Sequence, residues 1–172
     1  MISNTDLYKR KYDIQTLEDN IDSLTIKSLI LNQKLTPMFC VKYIIETDDY
    51  LCGDKEEFID MYYVLRNQSH ISFDDIIDAT IEYYKDYIDT PEPEIITRNS
   101  DLYKRKYDIK ILEHSYRMLI DKLSLKIIVK TQKLTSEFCI KYILCDQKDP
   151  YDVIDKTYIL KYQPHLTLES LA

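Results

Sequence analysis

The residues best suited to chemistry lie in two segments, each with three basic side chains between two tyrosines. They are Tyr8, Lys9, Arg10, Lys11 and Tyr12, and, 95 residues later, Tyr103, Lys104, Arg105, Lys106 and Tyr107. Basic side chains neutralise phosphate and a tyrosine ring stacks on a base, so these segments are candidates for binding a nucleotide or nucleic acid. The alternative is a solvated helix face or a contact with an acidic partner, because Leu7, Ile14 and Leu17 give a helix here its apolar stripe.

Patterns typical of enzymes and metal sites are missing from the sequence. The histidines are His70, His114 and His165, and the cysteines are Cys40, Cys52, Cys139 and Cys145. Three scattered histidines form neither a metal site nor a nucleophile with its base, and His70 and His165 suit a hydrogen bond that stabilises a turn. The cysteines have no C-x-x-C spacing, and the single glycine excludes a glycine-rich phosphate loop. We therefore predict no enzymatic activity, no cofactor and no metal.

The sequence contains an internal repeat. Residues 4–18 and 99–113 are identical at 12 of 15 positions, and residues 33–44 and 132–143 at 9 of 12. The offset between the copies rises from 95 to 99 and later returns to 95, so the second copy holds four additional residues between these blocks and four fewer in the loop around 48–57. Four residues are about one helical turn, which keeps an apolar stripe on nearly the same face. This favours an all-α fold built by tandem duplication of a helical-hairpin unit, either compact with two lobes or a short α-solenoid.

Each copy contains two tight turns in which a glutamine precedes a Ser or Thr that opens a helix. The predicted N-caps are Thr36, Ser72, Thr135 and Thr167. Helices are predicted at about 5–20, 23–32, 37–46, 55–67 and 73–88, and again at about 100–117, 119–131, 136–144, 151–162 and 168–172. The predicted domains are an acidic first copy at 1–90, a proline-containing linker at 91–98, and a basic second copy at 99–172 with a shortened last helix.

Charge differs sharply between the copies. Residues 1–95 contain 9 Lys and Arg against 20 Asp and Glu, a net charge of −11, whereas residues 96–172 contain 14 against 10, a net charge of +4. This asymmetry predicts attraction between the copies, or self-association in which the acidic half of one chain meets the basic half of another. The alternative is drift of surface charge after duplication. The shortened last helix predicts exposed apolar surface near Ile159, Leu166 and Leu168.

The repeated pattern apolar-x-x-x-Gln-Lys-Leu-Thr-x-x-Phe-x-x-Lys-Tyr resembles the degenerate helical repeats of giant DNA viruses that infect amoebae. The resemblance covers about half of the chain. It implies a non-catalytic repeat scaffold of viral origin with no known active site.

We therefore expect a non-enzymatic protein–protein interaction module that acts on a host or viral protein, with homo-oligomerisation through acidic and basic copies. The alternatives are a protein that binds or sequesters nucleic acid or a nucleotide through its basic second copy, and a structural component of a virion. No stretch approaches the 18 or so apolar residues of a membrane span, and the first residues lack a secretory profile. This predicts no membrane partner and a cytoplasmic location, in the host cell or in a virion if viral.

Overall fold

A computed structural model describes residues 2–45, 59, 61–86, 96, 98–119, 123–145 and 153–172. Over these ranges every regular element is helical and no strand occurs, which confirms the all-α prediction. The chain divides into two compact units, Met1–Tyr83, called unit 1 here, and Tyr84–Ala172, called unit 2. None of the described helices is long and apolar enough to cross a membrane.

Unit 1 contains six short α-helices in the ranges that the structure describes. They are α1 (Asn4–Leu7), α2 (Ile14–Glu18), α3 (Ile26–Asn32), α4 (Pro37–Cys40), α5 (Met61–Asn67) and α6 (Phe73–Tyr83). A 3-10 helix at Ile21–Ser23 precedes α3, and a π-helix at Val41–Ile45 continues α4. The core buries Leu17, Leu29, Ile30, Phe39 and Ile44, among others.

Unit 2 contains five α-helices in its described part. They are α7 (Asn99–Lys104), α8 (Ile109–Met118), α9 (Leu125–Thr131), α10 (Ser136–Phe138) and α11 (Lys156–Tyr162). A π-helix at Cys139–Leu144 continues α10, and the predicted last helix is a 3-10 helix at Glu169–Leu171. Most of the predicted linker at 91–98 lies outside the described residues, but Ile96 is fully buried and its amide donates to Ser115 Oγ at 3.1 Å.

The prediction of continuous helices over 5–20 and 100–117 is wrong. In unit 1 the chain leaves α1 at Leu7 and starts a new helix after Asp13, whose carboxylate accepts the amide of Thr16 at 2.9 Å. In unit 2 Asp108 accepts the amide of Lys110 at 2.8 Å and opens α8. Aspartate is a favoured N-cap, so each Tyr-Lys-Arg-Lys-Tyr segment is the connection between two helices and not the middle of one.

Three of the four predicted N-caps are confirmed. Thr36 Oγ accepts the amide of Phe39 and Thr135 Oγ that of Phe138, each at 3.2 Å. Ser72 Oγ accepts the amide of Asp75 at 3.1 Å, while Asp75 returns a hydrogen bond to the Ser72 amide. Thr167 Oγ accepts the amide of Ser170 at 3.2 Å, but the N-cap of the 3-10 helix that follows is Leu168. Each cap satisfies an amide that the first turn of a helix leaves without an intrahelical partner.

Candidate binding surfaces on a glutamine frame

Gln33 closes the Tyr-Lys-Arg-Lys-Tyr connection of unit 1 from the inside. Its Nε2 donates to the carbonyl oxygens of Leu7 at 2.8 Å and Arg10 at 3.0 Å, and its Oε1 accepts the amide of Tyr12 at 2.9 Å. Gln33 is buried. One side chain therefore pairs three backbone groups that no helix satisfies.

Gln132 makes the same three bonds in unit 2. Its Nε2 donates to the carbonyl oxygens of Leu102 at 2.8 Å and Arg105 at 2.9 Å, and its Oε1 accepts the amide of Tyr107 at 2.9 Å. The tandem duplication stays a prediction, but sequence-equivalent positions have the same hydrogen bonds within 0.1 Å.

A second glutamine holds the turn that contains Gln33. Nε2 of Gln68 donates to the carbonyl oxygens of Ile30 at 2.6 Å and Gln33 at 2.8 Å, and its Oε1 accepts the amide of Leu35 at 3.0 Å. Nε2 of His70 lies 2.9 Å from the carbonyl oxygen of Leu35 and donates to it. The predicted turn-stabilising role of this histidine is confirmed.

Gln163 repeats this second tier in unit 2. It donates to the carbonyl oxygens of Val129 and Gln132, each at 2.7 Å, and accepts the amide of Leu134 at 2.9 Å. His165 Nε2 lies 2.7 Å from the Leu134 carbonyl oxygen and donates to it. Each unit is therefore ordered by two linked, fully buried glutamines, which we call the glutamine frame (Gln33 and Gln68, Gln132 and Gln163). Buried polar networks whose members are all satisfied make a structure rigid.

The frame separates the predicted site residues of unit 1 into exposed and structural ones. Tyr8 is 66% exposed. Arg10 covers the ring of Tyr12, with Cζ 4.6 Å from the ring centroid, and its Nε donates to the Tyr12 hydroxyl at 2.5 Å. This hydrogen bond holds the pKa of Arg10 above its ordinary value. The Tyr8 ring is therefore open at the surface, whereas the Tyr12 ring is half-buried between Arg10 and the core.

Three lysines of the two Tyr-Lys-Arg-Lys-Tyr connections have partners within their own unit. Lys9 Nζ lies 4.0 Å from Asp6 Oδ1. Lys11 Nζ donates to the carbonyl oxygen of Asn32, the last residue of α3, and Lys106 Nζ does the same to Thr131 at the end of α9. A cation there satisfies a terminal carbonyl and opposes the negative end of the helix dipole. Lys11 and Lys106 therefore act as helix caps, and burial lowers the pKa of Lys106.

The other predicted residues of unit 2 form an aromatic and basic cluster. The rings of Tyr84 and Tyr103 stack with centroids 6.2 Å apart and planes 16° apart. Lys104 Nζ lies 5.1 Å from the centroid of the Tyr84 ring, and Arg105 Cζ lies 5.9 Å from that of Tyr107. The sequence did not indicate that Tyr84 belongs with this segment.

The prediction for Ile159 is wrong, because this side chain is fully buried. It lies on the inner side of α11, as Val64 does on α5 in unit 1, and Leu171 of the final 3-10 helix is also buried. A single 3-10 turn thus still places an apolar side chain in the core. Leu166 is half-buried, and Leu168 is 62% exposed, as predicted.

A surface that sequence reasoning missed lies on α9 and α11, which contact each other. We call it the lysine-tyrosine face, and its residues are Lys126, Lys130, Tyr158, Lys161 and Tyr162. Lys126 Nζ lies 5.7 Å from the Tyr158 centroid, and the Nζ atoms of Lys130 and Lys161 each lie 4.9 Å from that of Tyr162. The two rings are 4.9 Å apart. The signal was present in the sequence, since Lys126 and Lys130, like Tyr158 and Tyr162, are spaced four residues apart.

Unit 1 does not have this face. The position equivalent to Lys130 is Leu31, which is 49% exposed, and the position equivalent to Tyr162 is Asn67. The Asn67 side chain instead donates to the carbonyl oxygen of Tyr63 at 2.8 Å. The two units therefore have the same glutamine frame and different outer surfaces.

Within the ranges that the structure describes, no group of three or more His, Cys, Asp or Glu could hold a metal ion. Comparison with protein families, with curated proteins and with solved structures gives no match to this chain.

Proposed function

We propose that this protein is a non-enzymatic helical interaction module that binds an acidic segment of a partner protein through the lysine-tyrosine face of unit 2. The observation that carries the proposal is that three ammonium groups and two tyrosine rings meet on two packed helices. The glutamine frame supports the proposal, because it holds the ends of both helices.

The chemistry of the face suits carboxylates presented beside apolar or aromatic groups. Each lysine carries a positive charge and three N–H donors, which suit a carboxylate oxygen. An exposed ion pair contributes about 0.2 to 1 kcal/mol, so three of them give micromolar affinity only if the partner also covers the two rings. Tyrosine is enriched in interfaces for this reason. The net charge of +4 on residues 96–172 favours an acidic partner as well.

The test is fluorescence anisotropy with a labelled peptide of alternating glutamate and tyrosine, compared with its glutamine and tyrosine analogue. We expect binding of the acidic peptide at low salt, and loss of that binding in a variant with Lys126→Glu, Lys130→Glu and Lys161→Glu. The matched control, Lys27→Glu with Arg66→Glu, changes equivalent positions of unit 1 and should bind as the unchanged protein does. Equal affinity for the acidic and neutral peptides would overturn the proposal.

Binding of nucleic acid or a nucleotide is the second candidate function. The stacked rings of Tyr84 and Tyr103 beside Lys104 favour it, because a base stacks on tyrosine while lysine neutralises phosphate. Under this alternative, labelled RNA or DNA binds at low salt and Tyr103→Ala with Lys104→Glu weakens it many-fold. Lys106 should be left unchanged in this test, because it caps α9. If adding the protein at low salt changes the anisotropy of neither labelled RNA nor labelled DNA, this candidate is excluded.

A further inference from the structure

We infer that the acidic partner of the lysine-tyrosine face is helix α6 of a second copy of this chain. The inference rests on the proposed function, because it names the protein segment that the face binds. It would make the molecule self-associating, with unit 2 of one copy bound to unit 1 of another.

Helix α6 presents a continuous acidic stripe. Its inner side buries Phe73, Ile76, Ile77 and Thr80. Asp75, Asp78 and Glu82 are exposed, and their spacing of three and four residues places them along one line of the opposite side. Asp75 at the start of the stripe holds the Ser72 cap. Asp78 and Glu82 follow it in the middle and at the end of the helix, one turn apart.

The charges on the two surfaces have the same spacing. Asp78 and Glu82 are one turn apart on α6, and Lys126 and Lys130 are one turn apart on α9, about 6 Å along each helix axis. An antiparallel approach therefore places Glu82 opposite Lys126 and Asp78 opposite Lys130 at the same time. Each of these two pairs brings a carboxylate opposite an ammonium group.

The stripe also has an apolar neighbour for the tyrosine rings. Ile81 is exposed on α6 and lies beside the line of Asp78 and Glu82. Its burial against Tyr158 and Tyr162 would add apolar area that ion pairs alone lack, at about 25 cal/mol for each Å² of apolar surface. Exposed apolar side chains bordered by charge are typical of protein interfaces.

Each copy carries both surfaces, which determines the kind of assembly. The two patches differ, so one contact between two copies leaves one face and one stripe open. A two-fold arrangement closes both in a dimer, other rotations that close give a larger ring, and a rotation that does not close gives an open filament. Association by these charges must weaken as salt rises, because exposed ion pairs are screened.

The experiment uses light scattering after size-exclusion chromatography, at low and high salt and several protein concentrations. We expect the mass to rise from the 20.6 kDa of one chain to at least twice that value at low salt. Two variants reverse the charges: Lys126→Glu with Lys130→Glu on the face, and Asp78→Lys with Glu82→Lys on α6. Each variant alone should be a monomer, because it opposes like charges.

Mixing the two reversed variants is the decisive step, since it pairs an acidic face with a basic α6. We expect an equimolar mixture to recover the mass of the unchanged protein, and Lys27→Glu with Arg66→Glu to self-associate normally. A strict monomer at every concentration, or a mixture that stays monomeric, would overturn the inference. A monomer that still binds the glutamate and tyrosine peptide would overturn this inference alone, whereas loss of both would overturn the proposed function too.

Discussion

Replacing Gln68 by leucine removes three hydrogen bonds from the interior of unit 1 at nearly constant side-chain volume. The change leaves the Leu35 amide and the carbonyl oxygens of Ile30 and Gln33 without the partner they have now. At about 2 kcal/mol for each buried group, the loss is about 6 kcal/mol, and the additional apolar burial of leucine returns about 2 kcal/mol. We expect a net loss of about 4 kcal/mol, a large part of the stability of a typical domain.

Urea unfolding followed by circular dichroism measures this loss, with Gln15→Leu as the matched control. Gln15 is exposed on α2 and its amide donates to Asp19 at 2.9 Å, so its replacement should change the free energy of unfolding by less than about 0.5 kcal/mol. Hydrogen exchange should show lost protection of the Leu35 amide in Gln68→Leu and unchanged protection in the control.

Replacing Gln68 by glutamate should also destabilise unit 1, and the size of this effect should depend on pH. The glutamate keeps the acceptor for the Leu35 amide but turns a second oxygen toward two carbonyl oxygens. Burial beside those oxygens raises the folded-state pKa of this glutamate above its unfolded value. A raised folded-state pKa gives stability that is present below the unfolded pKa and is lost as pH rises through the folded one. The variant should therefore be more destabilised at pH 7 than at pH 4.

The outcome that refutes the reasoning is a midpoint for Gln68→Leu equal to that of Gln15→Leu, with the urea dependence unchanged. In that case water or a rearranged turn would satisfy the three backbone groups. The buried glutamines would then be tolerated in the core without stabilising the fold.

Three further predictions concern single side chains. Thr135→Ala removes the acceptor for the Phe138 amide and should cost about 1 kcal/mol in urea unfolding, against no loss for Thr135→Ser. Ile159→Ala should cost about 2 to 5 kcal/mol because the side chain is fully buried, whereas exposed Leu168→Ala should cost less than about 0.5 kcal/mol. Burial raises the pKa of Cys40 to about 12, so a thiol reagent at pH 8 should label exposed Cys145 in the folded protein and Cys40 only in urea; labelling of both at one rate would contradict this.

Local signals in the sequence were sufficient for the fold class and for the helix starts after Thr36, Ser72 and Thr135. A cap is a contact between residues three positions apart, so Thr36 and Thr135 could be recognised without knowing what packs around them. The turn-stabilising hydrogen bond predicted for His70 was also correct, but its partner is the carbonyl oxygen of Leu35, 35 residues away, which the sequence did not indicate. The caps depend on short-range chemistry that the residue types specify.

The end of α1 at Leu7 could not be predicted from local signals of this kind. Tyr-Lys-Arg-Lys-Tyr has good helix formers at its centre, and no glycine or proline marks a turn. Its backbone is held out of the helix by Gln33, which is 26 residues from Leu7. Ile159 was misjudged for a related reason, since the burial of one side of α11 depends on what packs against it.

The lysine-tyrosine face gives a further way to separate frame from function. If its residues alone determine binding, Leu31→Lys with Asn67→Tyr should build a second face on α3 and α5, because both positions are exposed. Isothermal titration with the glutamate and tyrosine peptide should then give two sites per chain, with weaker affinity at the new one since residues 1–95 carry a net charge of −11. A stoichiometry that stays at one would mean that the surrounding charge of each unit, and not the paired lysines and rings, decides where an acidic segment binds.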